Sequence, residues 1–404
     1  KADLFIINTC GFIQEAKEES IQAIIEAAAF KKPGKRLIVT GCLSQRYPSQ
    51  LKKRVPEIDA IFGTSDFPKI PDYIRGPKHK DTHTSVTKNP AFLYDHKYKR
   101  TLFTPKHFAY IKIQEGCINR CSYCVIPDLR GPYRSRDFES ILKEVRAFRD
   151  ASVKEVNIIG QDTTLYGIDN YNTFRLAELL KKTAIIMKKG WVRLLYAHPA
   201  HVTNDLIDVI ADHGSICKYV DIPVQHINDT ILEKMNRRVN KKFIYALINK
   251  IRKSIPGVAL RTSVMVGFPG ETERQFRELV DFIQDMKFEK LGAFTYSKEE
   301  GTPAYRMGRH IPEKIKQERF DCILKAQQLI SAENNKKLMG KVMKVLIEEK
   351  SGKKDGVYTG RTYMDAPEVD GQCYVRSSRE LMPGSFVNVR INDTLEYDLA
   401  GDAV

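Results

Sequence analysis

The sequence contains no apolar run approaching the length of a membrane span and shows no secretory signal, so neither a membrane protein nor an exported one is indicated. It also lacks any simple repeat or low-complexity tract, which removes repeat arrays and biased linkers from consideration. Cysteines are few: eight in 404 residues, several in cluster-like settings, fitting a reducing cytosol better than a disulfide framework. Acidic residues are outnumbered, 50 Asp and Glu against 66 Lys and Arg, and the formal charge of +16 suits an acidic partner such as RNA or the ribosome. Solubility alone explains such a charge equally well. What is present is ordinary for a globular protein, 42% hydrophobic and 29% charged, with length enough for two or three domains. The chain runs from Lys1 straight into Leu4-Phe5-Ile6-Ile7, so it reads as one entered mid-domain, with room for a segment upstream.

The most informative stretch is Gly116-Cys117-Ile118-Asn119-Arg120-Cys121-Ser122-Tyr123-Cys124. Its C-x3-C-x2-C spacing places three soft thiolates where they can grip one face of an iron–sulfur cluster. A 4Fe–4S cluster held by three cysteines keeps one iron open. Tyr123 places an aromatic ring beside it. A zinc knuckle would want a fourth Cys or His nearby, and none follows at a usual interval. Three buried cysteines are the blander alternative.

Residues 1–75 alternate strand and helix patterns: strands at 3–8, 36–40 and 58–62, helices at 14–30 and 44–54. Alternation of this kind predicts an α/β domain with a doubly wound parallel sheet. The first helix is expected to bury Ile21, Ile24, Ile25 and Ala28. Cys10 and Cys42 each directly follow a strand, which puts both on the carboxyl edge where open α/β sheets bind ligands. They are candidate ligands of a second cluster, with a third ligand expected upstream of Lys1; two buried core cysteines are the alternative reading. Residues 76–107, with Gly76, Pro77, His79, Lys80, Pro90, Lys99 and Pro105, form a polar and basic linker.

From residue 108 to 337 strands are expected near 110–114, 155–159, 192–196, 219–223, 259–266 and 291–296, with helices between them. Six such units make a partial (β/α)6 barrel rather than a full eight, and barrel chemistry sits at the carboxyl ends of strands. The candidate residues fall there: the cysteine triad after the first strand, Gly160-Gln161-Asp162 after the second, and His198 after the third. Gln225-His226 follows the fourth, Gly267-Phe268-Pro269-Gly270-Glu271 the fifth, and Ser297-Lys298-Glu299-Glu300 the sixth. Glycines at 267 and 270 let a backbone approach a ligand, and Glu271 can accept from a ribose hydroxyl. A lone histidine such as His198 or His226 is more often hydrogen-bonded scaffolding than a catalyst. Arg130, Arg134 and Arg136 have the fork geometry to hold carboxylates or phosphates, and their place just after the triad favours substrate or cofactor contact. A long helix over 312–337 precedes residues 338–404, where short strands separated by Gly, Pro and Asp predict a small five-stranded barrel of the oligonucleotide-binding type. Cys217, Cys322 and Cys373 stand alone and are read as structural.

These features together resemble the radical S-adenosylmethionine (SAM) methylthiotransferases, over essentially the whole chain: an amino-terminal cluster domain, a radical SAM barrel and a terminal TRAM domain. One branch of that family modifies a transfer-RNA adenosine, and another modifies an aspartate of small-subunit ribosomal protein twelve. Asn8-Thr9-Cys10-Gly11-Phe12-Ile13, Gln161-Asp162-Thr163-Thr164, Asp221-Ile222-Pro223-Val224-Gln225-His226 and Tyr296-Ser297-Lys298-Glu299-Glu300-Gly301-Thr302 resemble the second branch. The transfer-RNA branch typically carries Gln-Asn at the 161–162 position and Leu-Pro-Val-Gln-Ser-Gly around the fourth strand. The family's first amino-terminal cysteine has no counterpart in this chain.

The resemblance implies two 4Fe–4S clusters, one on Cys117, Cys121 and Cys124 that binds SAM, and an auxiliary one involving Cys10, Cys42 and a further cysteine. It implies a 5′-deoxyadenosyl radical that removes hydrogen from the aspartate β-carbon, a sulfur held at the auxiliary cluster, and a methyl group from a second SAM. Gly160, Gln161 and Asp162 match the place where such barrels bind the methionine amino group, and Gly267 and Glu271 the stretch that lines the nucleoside; Tyr123 adjoins the SAM cluster. The implied partners are the ribosomal protein as substrate and a flavodoxin or ferredoxin as electron donor, in the cytoplasm and away from membranes, with nucleic acid as substrate in the alternative reading. Residues 338–404 carry nine Lys and Arg against eleven Asp and Glu, which suits a basic protein better than RNA, with Glu368 and Asp370 expected to contribute.

Overall fold

Short apolar runs form the first sheet because they are covered on both sides. In the computed structural model, which describes all residues except 1, 78–80, 99 and 353–354, strands β1 (Leu4–Thr9), β2 (Arg36–Gly41), β3 (Ala60–Phe62) and β4 (His83–Ser85) lie parallel in that order. Helix α1 (Gln14–Ala29) and helix α3 (Pro48–Arg54) contribute Ile24, Ala27 and Leu51 to a core with Leu37, Val39 and Ile61. The opposite face packs Ile38 and Phe62 against Ile70 and Tyr73 of α4 (Ile70–Arg75). Both faces are therefore covered, as a doubly wound sheet requires. Between β2 and α3 lies a one-turn helix α2 (Cys42–Arg46); Tyr47 separates the two and Pro48 opens α3, where the pattern suggested one helix.

Two further departures stand out here. The polar connector contains β4, paired in register with β3 from Ala60↔His83 to Phe62↔Ser85. In α1 the buried face is Ser20, Ile24 and Ala27, while Ile21 and Ile25 are exposed. His79, Lys80 and Lys99 of the connector lie outside the described residues.

Six parallel strands make the second sheet: β5 (Phe108–Lys112), β6 (Glu155–Ile159), β7 (Trp191–Leu194), β8 (Ile216–Asp221), β9 (Ala259–Val266) and β10 (Lys290–Thr295), in sequential order. Helices follow the strands, the best defined being α5 (Phe138–Asp150) and α6 (Glu273–Met286). Each starts on a side-chain cap, Asp137 for α5 and a full capping box of Thr272 and Gln275 for α6. This is the partial barrel anticipated from the sequence. Residues 342–403 close into a five-stranded barrel whose last strand, Leu399–Ala403, lies between Cys373–Arg376 and Phe386–Thr394.

The chain divides into two compact units. One comprises residues 1–94, 115–134 and 297–307, so it contains the first sheet and the cysteine-triad loop. The other comprises residues 95–114, 135–296 and 308–404, so the six-stranded sheet and the small terminal barrel form a single unit.

Within that second unit the joint is ionic and buried. Glu155, with no exposure, accepts from Arg193 Nε and from Arg361 Nη2, both at 2.8 Å, and Arg361 also pairs with Glu348 at 2.6 Å. Asp370 accepts from Tyr219 Oη at 2.7 Å, and Glu368 from Tyr110 Oη at 3.0 Å. The two carboxylates expected to face a protein partner are thus engaged by the six-stranded sheet. Their net charge was legible in the sequence; their direction was not.

Candidate functional site

In the first unit the site is built on glycines. The parallel register pairs Thr9 with Gly41, so Cys10 and Cys42 follow side by side at the carboxyl edge. Gly41 has φ +103°, and a Cβ there would stand 2.4 Å from the Thr9 carbonyl oxygen. A Cβ on Gly11 would stand 2.9 Å from the Cys42 backbone. Only glycine at both places lets the two cysteine turns approach this closely. Ser20 accepts from the Cys10 N–H at 2.9 Å and holds that turn to α1. Cys10 is exposed and Cys42 buried, both as free thiols.

The triad loop belongs to the same unit. Gly116 (φ +80°) and Arg120 (φ +49°) give it two left-handed residues, and a Cβ on Gly116 would lie 2.1 Å from the Pro132 carbonyl oxygen. Cys121 is buried and Cys117 and Cys124 are half-buried, with Tyr123 half-buried between them, and none of the three forms a disulfide among the described residues. Asn119 donates to Cys117 Sγ at 3.6 Å. Three thiols on one tight loop, without disulfides among the described residues, fit a cluster that keeps one iron open. The short helix Ile126–Arg130 follows at once, packing Val125 and Leu129 against Cys42 and Phe12. Its last residue, Arg130, donates from Nη2 to Cys42 Sγ at 3.2 Å and pairs with Glu115 at 3.6 Å.

Residues 297–307 complete this unit. Ala304 N–H donates to the Ser122 carbonyl at 2.8 Å, fastening the segment to the triad loop. Glu299, buried, is gripped by Arg46 at 2.5 Å and Lys17 at 2.9 Å. Burial alone would raise its carboxyl, but the hydrogen bonds from Lys17, Ser297 and Arg46 hold it below its ordinary value.

In the second unit the sequence candidates sit at the carboxyl ends of the barrel strands, and several have inward duties. Gly160 follows β6, and a Cβ there would meet the Gln114 side chain at 2.6–2.9 Å. Gln114 is fully buried, and among the described residues neither atom of its amide has a hydrogen-bond partner. Asn157 is in the same state. Such orphaned amides are what a polar ligand satisfies on binding. Gln161, the residue after Gly160, is half-buried.

Asp162 is buried; its carboxylate accepts from the N–H and hydroxyl of Thr164 and pairs with His201 Nδ1 at 3.0 Å. Burial works against the charge, yet these bonds keep the carboxyl below its ordinary value. The ring of His198 stacks on that of His201 at 4.8 Å, and burial together with the Arg237 charge pushes it down to about 3, so it is neutral. Donor atoms of Asp162, His198 and His201 lie within 4.8 Å of one another, a grouping able to hold a metal ion. His226, fully buried and likewise pushed to about 3 by burial, accepts the Asn228 N–H at 3.0 Å. Both histidines named from the sequence accept a backbone N–H at Nδ1, His198 from Ala200 and His226 from Asn228.

Three of the charged side chains named from the sequence are engaged within the protein. Glu271 turns inward: its Oε2 accepts from Gly267 N–H at 2.5 Å and Phe268 N–H at 3.1 Å, and it pairs with Arg319 at 3.1 Å, so it closes its own loop. Gly267 (φ +75°) backs onto Lys316, whose Cγ a Cβ would meet at 2.3 Å. Arg136, almost unexposed, pairs with Glu144 at 2.7 Å, and Arg134 donates to the carbonyls of Pro132 and Arg130 at 2.6 and 3.0 Å. Neither of these two arginines is a bare anion fork. Cys217 and Cys373 are buried thiols pushed up to about 12 by burial, as structural cysteines should be.

Gln114, His201 and the sulfur contact of Arg130 were missed. Only His201 left a local signal, standing three residues after His198.

Comparison with known proteins agrees with this architecture. The family model described as Radical SAM superfamily matches residues 111–283, the TRAM domain model residues 339–404, and Uncharacterized protein family UPF0004 residues 1–63. A protein from Clostridioides difficile (strain 630) named ribosomal protein uS12 methylthiotransferase RimO is 49% identical, covering 100% of this chain and 91% of its own length. One of the same name from Desulforamulus reducens is 48% identical over 99% of this chain and 91% of its own. Among solved structures, the radical SAM methyltransferase TsrM from Kitasatospora setae has a TM-score of 0.57 at 15% identity, covering 78% of this chain and 74% of its own, which is a likeness of fold. A radical SAM barrel preceded by a two-cysteine parallel sheet, ended by a TRAM barrel and matched along its whole length by these relatives, places the chain in the RimO family of radical SAM enzymes.

Proposed function

We propose that this methylthiotransferase acts on ribosomal protein uS12, replacing a hydrogen on the β-carbon of one aspartate with a methylthio group. The observation that carries this reading is the similarity along the whole chain to relatives named for that substrate. Cys117, Cys121 and Cys124 are assigned as ligands of the SAM-binding 4Fe–4S cluster, with Tyr123 beside it and Asn119 steadying the Cys117 sulfur. When bound there and cleaved reductively, SAM supplies one-electron chemistry able to open a carbon–hydrogen bond that no side-chain base can deprotonate. Cys10 and Cys42 are assigned as two of the ligands of an auxiliary 4Fe–4S cluster.

In the barrel, Gly160 and Gln161 are proposed SAM contacts, to which the unpartnered Gln114 amide is added. Asp162 and Glu271 act on the loops they close, and Gly267 permits the tight approach of its loop to the last helix. An electron donor of the flavodoxin or ferredoxin type and a cytoplasmic setting complete the reading; no helix among the described residues is long and apolar enough to cross a membrane.

Anaerobic reconstitution followed by reduction in the presence of SAM tests the catalytic assignment. Formation of 5′-deoxyadenosine by the parent, and its loss when Cys117, Cys121 and Cys124 are replaced by Ala, is the expected result. A triple variant that still forms 5′-deoxyadenosine at the parent's rate removes the triad from the mechanism.

A further inference from the structure

After β9 the chain turns through a left-handed residue that is a glycine, Gly267 at φ +75°, as such backbone prefers. After β7 the left-handed residue is Tyr196, at φ +61°, the only aromatic at positive φ among the described residues. A bulky side chain there is an outlier that costs free energy and persists only where the surroundings over-determine it. Main-chain bonds do so here. The Tyr196 N–H donates to Asp221 Oδ2 at 2.9 Å, and its carbonyl accepts from the Thr163 N–H at 3.2 Å and Thr163 Oγ1 at 3.1 Å. On either side, Leu195 N–H donates to the Ile158 carbonyl at 3.1 Å and Ala197 N–H to the Asp221 carbonyl at 3.0 Å. Asp221, itself buried, is fixed by Arg261 at 3.0 Å. None of these bonds uses the tyrosine side chain, so a glycine would make all of them without strain. Nor is the ring buried to offset the strain, since 46% of Tyr196 is exposed.

The next strand repeats the arrangement. Gln225, after β8, is left-handed at φ +70° and half-buried; its N–H donates to the Ser263 carbonyl at 2.8 Å, and its carbonyl accepts from Met265 N–H at 2.7 Å. Phe294, near the end of β10, presents a second exposed ring. These three side chains stand at the carboxyl ends of barrel strands, where substrates lie. We infer that Tyr196 is a specificity-determining residue that packs against the polypeptide segment carrying the target aspartate, and that the strained backbone is retained to present its ring. The inference rests on the proposed reading of uS12 as substrate. Asp221 acts as the positioning residue for that ring, and Gln225 offers an amide for the main chain of the same segment. An exposed aromatic ring on a fixed backbone loses little freedom on contact, which is what makes tyrosine an anchor for polypeptide. The proposed SAM contacts gather elsewhere in sequence, in Gln114, Gly160 and Gln161.

Two substitutions in the full chain separate contact from structure. Tyr196→Ala and Tyr196→Gly both remove the ring, but only glycine relieves the left-handed backbone, so the Gly variant is expected to melt a few degrees above the Ala variant. Binding of a fluorescein-labelled uS12 peptide spanning the target aspartate is followed by anisotropy, a readout that needs neither turnover nor the auxiliary cluster. Both variants are expected to bind the peptide about tenfold or more weakly than the parent, and equally so despite their different stabilities, as for a central aromatic contact. Tyr196→Phe, which keeps the ring, is expected to stay nearer to the parent than to either. Peptide affinity that follows stability, with Gly recovering what Ala loses, overturns the inference and leaves Tyr196 a structural residue; parental affinity in both variants overturns it too. SAM affinity is measured in parallel by equilibrium dialysis, on chains reconstituted anaerobically with iron and sulfide at Cys117, Cys121 and Cys124. Loss of SAM binding with peptide affinity retained gives the ring to the cofactor and likewise overturns the inference. A parent that ignores the peptide and binds transfer RNA instead overturns the uS12 reading itself, and the inference with it.

Discussion

Replacing Glu155 with Gln should loosen the terminal barrel from the six-stranded sheet. Glu155 is fully buried and is the carboxylate shared by Arg193 and Arg361, each at 2.8 Å. Arg193 also donates to the Tyr363 carbonyl at 2.7 Å, and Arg361 to that of Asp365 at 3.0 Å, so both guanidiniums stay in place when the carboxylate goes. Arg361 would keep Glu348, while Arg193 would lose the carboxylate it pairs with. Breaking a buried pair by removing one partner costs about 3–5 kcal/mol, because an uncompensated charge is left behind. The chain contains its own reporter: its single tryptophan, Trp191, is buried at the start of β7 with its ring 4.9 Å from that of Phe386 in the terminal barrel. Urea unfolding followed by tryptophan fluorescence therefore reads this joint directly.

Acid gives an independent check of the same joint. Burial opposes the Glu155 charge, but Arg361 and Arg193 hold its carboxyl below the ordinary value. Its contribution is thus complete above the ordinary carboxylate range and is lost as pH falls through the lowered value. A Gln variant that costs less than about 1 kcal/mol by tryptophan fluorescence, below any buried-pair effect, would refute an ionic joint.

Other outcomes follow from single side chains. Gly41→Ala meets the Thr9 carbonyl at 2.4 Å on a left-handed residue and should lower stability of the first unit by about 3 kcal/mol or more, whereas Gly34→Ala, equally left-handed at φ +92° but with open space, should cost about 1 kcal/mol; equal effects in thermal melts would contradict the clash. His226, pushed by burial to about 3, stabilises fully above its ordinary 6.5 and progressively less as pH falls toward 3, by up to about 5 kcal/mol; His226→Asn, whose Oδ1 can accept the same N–H, should flatten that slope in denaturation measured across pH, and an unchanged slope would count against it. Glu299→Gln leaves Arg46 and Lys17 without their shared carboxylate and should raise hydrogen exchange in residues 297–307; protection equal to the parent would show that the clamp is dispensable.

Much of the fold could be read because the central strands are buried on both faces and several helices of the second unit begin on side-chain caps. Residues 155–159 and 259–266 were bounded correctly from pattern alone. What escaped was short or depended on partners. Strand β4 is three residues of His-Thr-Ser in a polar connector, and only its pairing with β3 makes it a strand. The last strand, Leu-Ala-Gly-Asp-Ala, has little β preference and is held by neighbours on both sides.

The cysteines were legible because ligand spacing is a local property. The direction of a charged side chain is not. Glu271, Arg136 and Asp370 each looked available for a ligand, and each is engaged by a residue at least several positions away in sequence or in its own turn. Arg130 was visible as a cation, but its sulfur partner lies 88 residues away.

The central claim is tested most directly by mass spectrometry of ribosomal protein uS12 and of bulk transfer RNA, from cells with and without the gene. The account predicts a methylthio group on one aspartate of uS12 that disappears with the gene, and transfer-RNA modification that does not change. Unmodified uS12 in both, with a methylthio-adenosine lost from transfer RNA instead, would contradict it.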